Sequence, residues 1–106
     1  MPKYLIEAAY TAEGLAGLKK DKASGRRQAV TSAIEGLGGK LEAMYYVLGD
    51  VDTIVVADLP DATAAAALAL AGSGSGLLRT KTTALLSVEE ADAALSKTVQ
   101  FKAPGR

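Results

Sequence analysis

Cysteine, histidine, tryptophan and asparagine are all absent from this chain of 106 residues. Without cysteine there is no disulfide, no thiolate nucleophile and no sulfur ligand for a metal. Without histidine there is no imidazole base and no imidazole ligand for zinc, so most familiar acid–base and metal-dependent chemistry lacks its parts. Aromatic residues are few, four tyrosines and one phenylalanine, and neither sign of charge prevails, since 12 Lys plus Arg balance 12 Asp plus Glu. That balance removes the composition signature of a nucleic-acid binder or a polybasic membrane module. The longest apolar run, Ala64 to Ala71, is far short of the roughly 20 residues a bilayer requires. Met1-Pro2-Lys3 begins no signal-peptide pattern. The expectation is a soluble, cytoplasmic protein with no cofactor, no metal, and no nucleic-acid or membrane partner.

What is present suffices for one domain, residues 1–106, with a hydrophobic fraction of 49% carried by Ala, Leu and Val. Surface scaling for this mass buries about 65% of the unfolded surface, which only about balances the conformational entropy lost. Alanine adds little area per residue, so a lone subunit is expected to be marginal and a partner chain is expected.

Lys3 to Tyr10 alternates as a strand, with Tyr4, Ile6, Ala8 and Tyr10 on one face and Leu5, Glu7 and Ala9 on the other. Thr11 can cap a short helix from Ala12 to about Lys19, weakened by Gly14 and Gly17, and Lys20 to Gly25 is read as a loop. From Arg26 to Leu37, Val30, Ala33, Ile34 and Leu37 recur at helical spacing before the Gly38-Gly39 stop. Lys40 to Leu48 and Thr53 to Ala57 read as a hairpin around Gly49-Asp50-Val51-Asp52. A second helix is expected from Ala62 to Ala71, broken by Gly72-Ser73-Gly74-Ser75-Gly76. A Thr-rich strand from Leu77 to Leu86 follows, then a capping box at Ser87 and Glu90 opening a terminal helix to about Lys97.

Strand, helix, strand, strand, helix, strand is the order of the ferredoxin-like α+β fold, βαββαβ, with both main helices on one face of a four-stranded antiparallel sheet. The other face is expected to be apolar too, because Ile54 and Val56 as well as Val55, Ala57 and Leu59 are greasy. Two coverings present themselves: the sheet of a second copy in an isologous pair, or the terminal helix folded over as a lid.

Pro2-Lys3-Tyr4-Leu5-Ile6, the Tyr10-Thr11 step with Gly14-Leu15, Gly49-Asp50-Val51-Asp52 with Ile54-Val55-Val56, Asp58-Leu59-Pro60, and Lys81 through Ser87 together resemble the GYD-domain family. The resemblance spans residues 1 to about 104. Gly49 and Asp52 match the Gly and Asp of the namesake tripeptide, and Val51 stands where an aromatic residue is expected. The resemblance implies a small bacterial or archaeal protein, a dimeric α/β barrel built by pairing sheets between subunits, and a homodimer or higher oligomer. It carries over no catalytic residue.

Among candidate site residues, Tyr4, Tyr45 and Tyr46, with Tyr10, suit either the wall of a ligand cleft between sheet and helices or core and interface packing. Glu7, in a strand this fold makes central, is either a general base or a paired carboxylate, with Arg79 and Lys81 on the neighbouring strand as partners. Arg79 and Lys81 could equally receive an anionic ligand. Asp50 and Asp52 are better explained as turn formers than as cation ligands. Lys19, Lys20, Lys22, Arg26 and Arg27 form a cation cluster, read as a solvated loop in preference to an anion site. The Gly-Ser run lacks the Lys-Ser or Lys-Thr of a phosphate loop and reads as a mobile connection able to gate a cavity.

Three classes of function fit these residues. The first is a homo-oligomeric binder of a small organic metabolite in the cleft. The second is a cofactor-free oxygenase or isomerase acting on a cyclic organic substrate, with Glu7 as base and Tyr45 or Tyr46 positioning it. The third is a structural or regulatory assembly module.

Overall fold

A computed structural model describes all 106 residues. Seven elements follow one another: β1 (Lys3–Tyr10), α1 (Ala12–Gly36), β2 (Lys40–Tyr46), β3 (Thr53–Asp58), α2 (Ala62–Gly74), β4 (Leu78–Leu85) and α3 (Val88–Leu95). The strands form one antiparallel sheet in the order β2-β3-β1-β4. This is the expected ferredoxin-like α+β arrangement with a third helix appended.

Period-two alternation decides which side of each strand is buried. Tyr4 and Ile6 of β1 lie opposite Ala57 and Val55 of β3, and all four are buried with Ile34 of α1, Leu59 and Ala65 of α2. Both helices therefore pack on that face. β2 breaks the alternation by a bulge between Leu41 and Ala43. The bulge puts Leu41 opposite Ala57 and Met44 opposite Val55, so both pack against the core, a pairing that strict alternation from Lys40 does not give.

Caps fix the helix ends. The Thr11 side chain accepts from the Gly14 N–H at 3.1 Å, and Asp61 Oδ1 accepts from the Ala64 N–H at 2.9 Å. Ser87 and Glu90 form the expected reciprocal capping box, at 3.0 and 2.9 Å. These bonds to Ser87 hold the Glu90 carboxyl below its ordinary pKa. At the end of α1, Gly38 takes φ 82°. The Gly39 N–H donates to Ile34 O and the Gly38 N–H to Glu35 O, at 2.9 and 3.0 Å. Those two bonds make a Schellman stop that only a residue free of Cβ strain adopts cheaply.

Two segments differ from the sequence expectation. The loop expected at 20–25 is a kink of a single residue, Lys22, at φ 65° and ψ 164°. Helix resumes at once because its neighbours are polar but helix-tolerant and Gly25 stays within the turn. The Gly-Ser run likewise does not break α2 at Ala71, since the helix continues to Gly74. Serine hydroxyls supply the missing propensity. Ser75 Oγ donates to Gly72 O at 2.7 Å and accepts from the Leu77 N–H at 3.1 Å, and Ser73 Oγ pairs with Thr80 Oγ1 at 3.0 Å.

The second sheet face carries Leu5, Glu7, Ile54 and Val56, half-buried by their strand neighbours alone. α3 does not fold over it as a lid: it packs extensively against no other element, and Val88 and Leu95 are exposed. The radius of gyration, 16.8 Å, exceeds the roughly 13 Å of a compact chain of this length, because α3 and the tail with Val99 and Phe101 extend outward. No helix is long and apolar enough to cross a membrane.

Candidate functional site

The helices splay at the Tyr10 end of β1. α1 leans on β2 and α2 on β4, and the two do not pack closely on each other. The gap is a cleft of two adjoining chambers that share part of their walls. One, about 100 Å³, lies against the sheet and is lined by Ile6, Ala8, Thr53, Val55 and Thr80 together with Met44. The other, about 370 Å³, opens outward between Leu18, Asp21 and Ala33 of α1 and Ala71 and Ser75. Tyr10, Arg26, Val30, Leu68, Gly72 and Leu78 border both. A mostly apolar concavity with a few convergent polar groups is the usual form of a small-molecule site.

Three polar groups converge there. Thr53, opening β3, is 3% exposed, and its hydroxyl is buried without a hydrogen-bond partner. Arg26 heads the sheet-facing stripe of α1, one turn before Val30 and two before Ile34. Its Nε is buried and unpartnered, and no carboxylate pairs with it, because both ion pairs of the molecule belong to Lys3, with Asp58 at 2.8 Å and Glu42 at 3.3 Å. Tyr10 closes the set, with Tyr46 beside it, opposite Thr53 in the β2–β3 register. Partial burial and then the neighbouring Tyr10 raise the Tyr46 phenol above its ordinary 10.0, while Arg26 pulls it the other way. At neutral pH it remains a protonated donor.

Tyr10 is held by the turn between β2 and β3. Asp52 Oδ2 accepts from the Tyr10 N–H at 2.8 Å, the Asp52 N–H donates to Ala8 O at 2.9 Å, and Asp52 O accepts from the Val47 N–H at 2.8 Å. This carboxylate ties the hairpin turn to the end of the central strand, a role beyond turn formation. Because the bond is charge-assisted and partly buried, Asp52→Ala is expected to cost about 2 kcal/mol in denaturant unfolding. Asp50→Ala, at an exposed position whose side chain makes no hydrogen bond or ion pair, should stay within about 0.5 kcal/mol.

Against known families, residues 4–95 match the GYD domain. The chain belongs to the GYD domain family. No curated protein and no solved structure matches it.

The GYD fold divides the residues singled out from sequence between two faces of the sheet. Tyr4 is buried in the core at the end of β1 away from the cleft, and Tyr46 lies outside both chambers, in a separate hollow that it lines with Met44, Arg27 and Tyr45. Glu7, Tyr45, Arg79 and Lys81 lie on the opposite, open face, where Glu7 is in register with Lys81 and Ile54, and Arg79 with Ala9. The expected adjacency of Glu7 and Lys81 is present as strand register, without an ion pair between them. Of the cleft's polar groups, Tyr10 was visible as one more strand tyrosine and Arg26 as one member of a cation cluster. The signal that separates Arg26 from its neighbours is its phase with Val30 and Ile34. Thr53 carries no sequence signal beyond β propensity.

Proposed function

We propose that this GYD domain protein is a homo-oligomeric binding protein that holds a small organic metabolite in the cleft between the sheet and helices α1 and α2. The observation that carries the reading is the apolar cleft itself, with Thr53 and Arg26 presenting unpartnered polar atoms to it. A buried hydroxyl without a partner costs about 1–3 kcal/mol, and a ligand that satisfies it recovers that energy.

Self-association is supported by the open face. Leu5, Ile54 and Val56 form an apolar strip that no element of the same chain covers, and a second sheet is the most economical cover. An enzyme that uses Glu7 as base finds less support, because Glu7 and the cleft lie on opposite sides of the sheet.

Native mass spectrometry with sedimentation at micromolar concentration tests both halves. The expected result is an oligomer that carries, or is thermally stabilised by, a small organic compound, and Val56→Glu is expected to shift the oligomer to monomer. A monomeric parent chain that no small organic compound stabilises would overturn the proposal.

A further inference from the structure

We infer that the ligand of this cleft is a monocarboxylate with a compact hydrocarbon body, its carboxylate bound between the Arg26 guanidinium and the Thr53 hydroxyl. The inference rests on the binding reading above and names the ligand's chemistry.

Three features select this class. Arg26 brings a permanent positive charge to a partly buried position with no acidic partner, and its planar fork matches a carboxylate. Thr53 is almost fully buried, lines the same chamber and has no partner for its hydroxyl. That chamber is about 100 Å³ and both residues line it, so one small occupant has the two of them in its wall. Tyr10 adds a further phenol at the border of both chambers.

The remaining walls set the limits. Ile6, Val30, Val55, Leu68 and Leu78 are apolar, which suits a hydrocarbon body extending into the outer chamber. Arg26 is the one cation that lines either chamber, which matches a single negative charge and leaves a phosphate dianion under-neutralised. Asp21 on the outer wall would repel a second carboxylate at the far end, which disfavours dicarboxylates. Size points the same way. A cavity of about 150 Å³ just admits benzene, so the sheet-side chamber takes a carboxylate with its adjoining carbons, and the body occupies the outer one.

The test is calorimetric titration of the purified full chain with 4-methylpentanoate and cyclohexanecarboxylate, each beside its neutral primary amide. The acids are expected to bind at least about tenfold more tightly than the amides. Arg26→Gln and Thr53→Val should each weaken acid binding by about tenfold, Thr53→Ser should restore it, and Arg27→Gln, which removes the adjacent exposed cation, should leave it unchanged. Far-UV circular dichroism confirms that each variant is folded. Thr53→Val keeps the side-chain shape and removes only an unpaired hydroxyl, so it is expected to fold at least as stably as the parent.

If acids and amides bind equally, the cleft remains a binding site and the carboxylate assignment is overturned. If neither binds, and extraction of the native protein yields no small molecule, the binding reading falls as well. Acid binding that survives Arg26→Gln and Thr53→Val but is lost in Arg27→Gln would place the anion elsewhere and overturn the inference.

Discussion

Truncating Ile34 to alanine is expected to destabilise the protein by about 3–4 kcal/mol in denaturant unfolding at fixed protein concentration. Ile34 is one of the two largest fully buried side chains, at 0% exposure, and the core has few members to share the loss: Tyr4, Ile6, Val55, Ala57, Leu59 and Ala65. Two of those six are alanines, whose short side chains cannot swing into the space vacated, so most of the cavity persists. Small domains have about 5–15 kcal/mol in all, and a midpoint drop of about 15 °C follows from the usual entropy of a chain this size. A change under about 1 kcal/mol would show that this end of the molecule is less tightly packed than it looks.

Gly39→Ala is expected to cost about 3 kcal/mol for the opposite reason, overfilling. A Cβ at Gly39 would run into the Asp58 carbonyl oxygen and come within 2.9 Å of Leu59 Cδ2 and 3.2 Å of Ile34 Cγ2. The carbonyl cannot retreat, because Asp58 is paired with Lys40 on one side and Lys3 on the other. Gly36→Ala is the control: nothing lies within 4 Å of the added carbon, and a helical alanine in place of glycine should be neutral or mildly stabilising. Equal midpoints for the two variants would refute the account of the crowded corner.

Both effects belong to the Tyr4 end of β1, and the cleft belongs to the Tyr10 end. Where the helices meet the sheet through Ile34, Leu59 and Ala65, apolar side chains are fully covered. Where they splay, Thr53, Thr80 and Arg26 take the corresponding positions. The division of labour follows from composition along each strand: β1 passes from Tyr4 and Ile6 to the small Ala8, and β3 passes back from Ala57 and Val55 to Thr53.

Much of this could be read from residue order. The alternation of Lys3–Tyr10, the Gly38-Gly39 stop, the Ser87/Glu90 box and the turn at Gly49–Asp52 each rest on chemistry local to a few residues, so element order and fold class followed from them. The site resisted the same treatment for a physical reason. A cleft is space left between elements, and whether α1 and α2 touch or diverge depends on side-chain volumes summed across four strands. Tyr45 and Tyr46 show how little separates the outcomes, since one residue of register puts Tyr45 opposite Ile54 on the open face and Tyr46 opposite Thr53 on the other. The bulge at Leu41–Ala43 sets that phase, and no turn residue announces it. Glu7 drew notice as a carboxylate on a central strand, but its face is decided by the same parity that buries Ile6.

The bulge also bears on how the sheet meets other chains. Outer strands with unpaired amides invite stacking into fibres, and proteins resist it by distorting or charging them. Here one margin is kinked within β2 and the other, β4, presents the exposed Arg79, Lys81 and Thr83. Ribbon-like polymerisation is discouraged along both rims, so the distorted and charged margins guard the sheet against endless edge-to-edge growth.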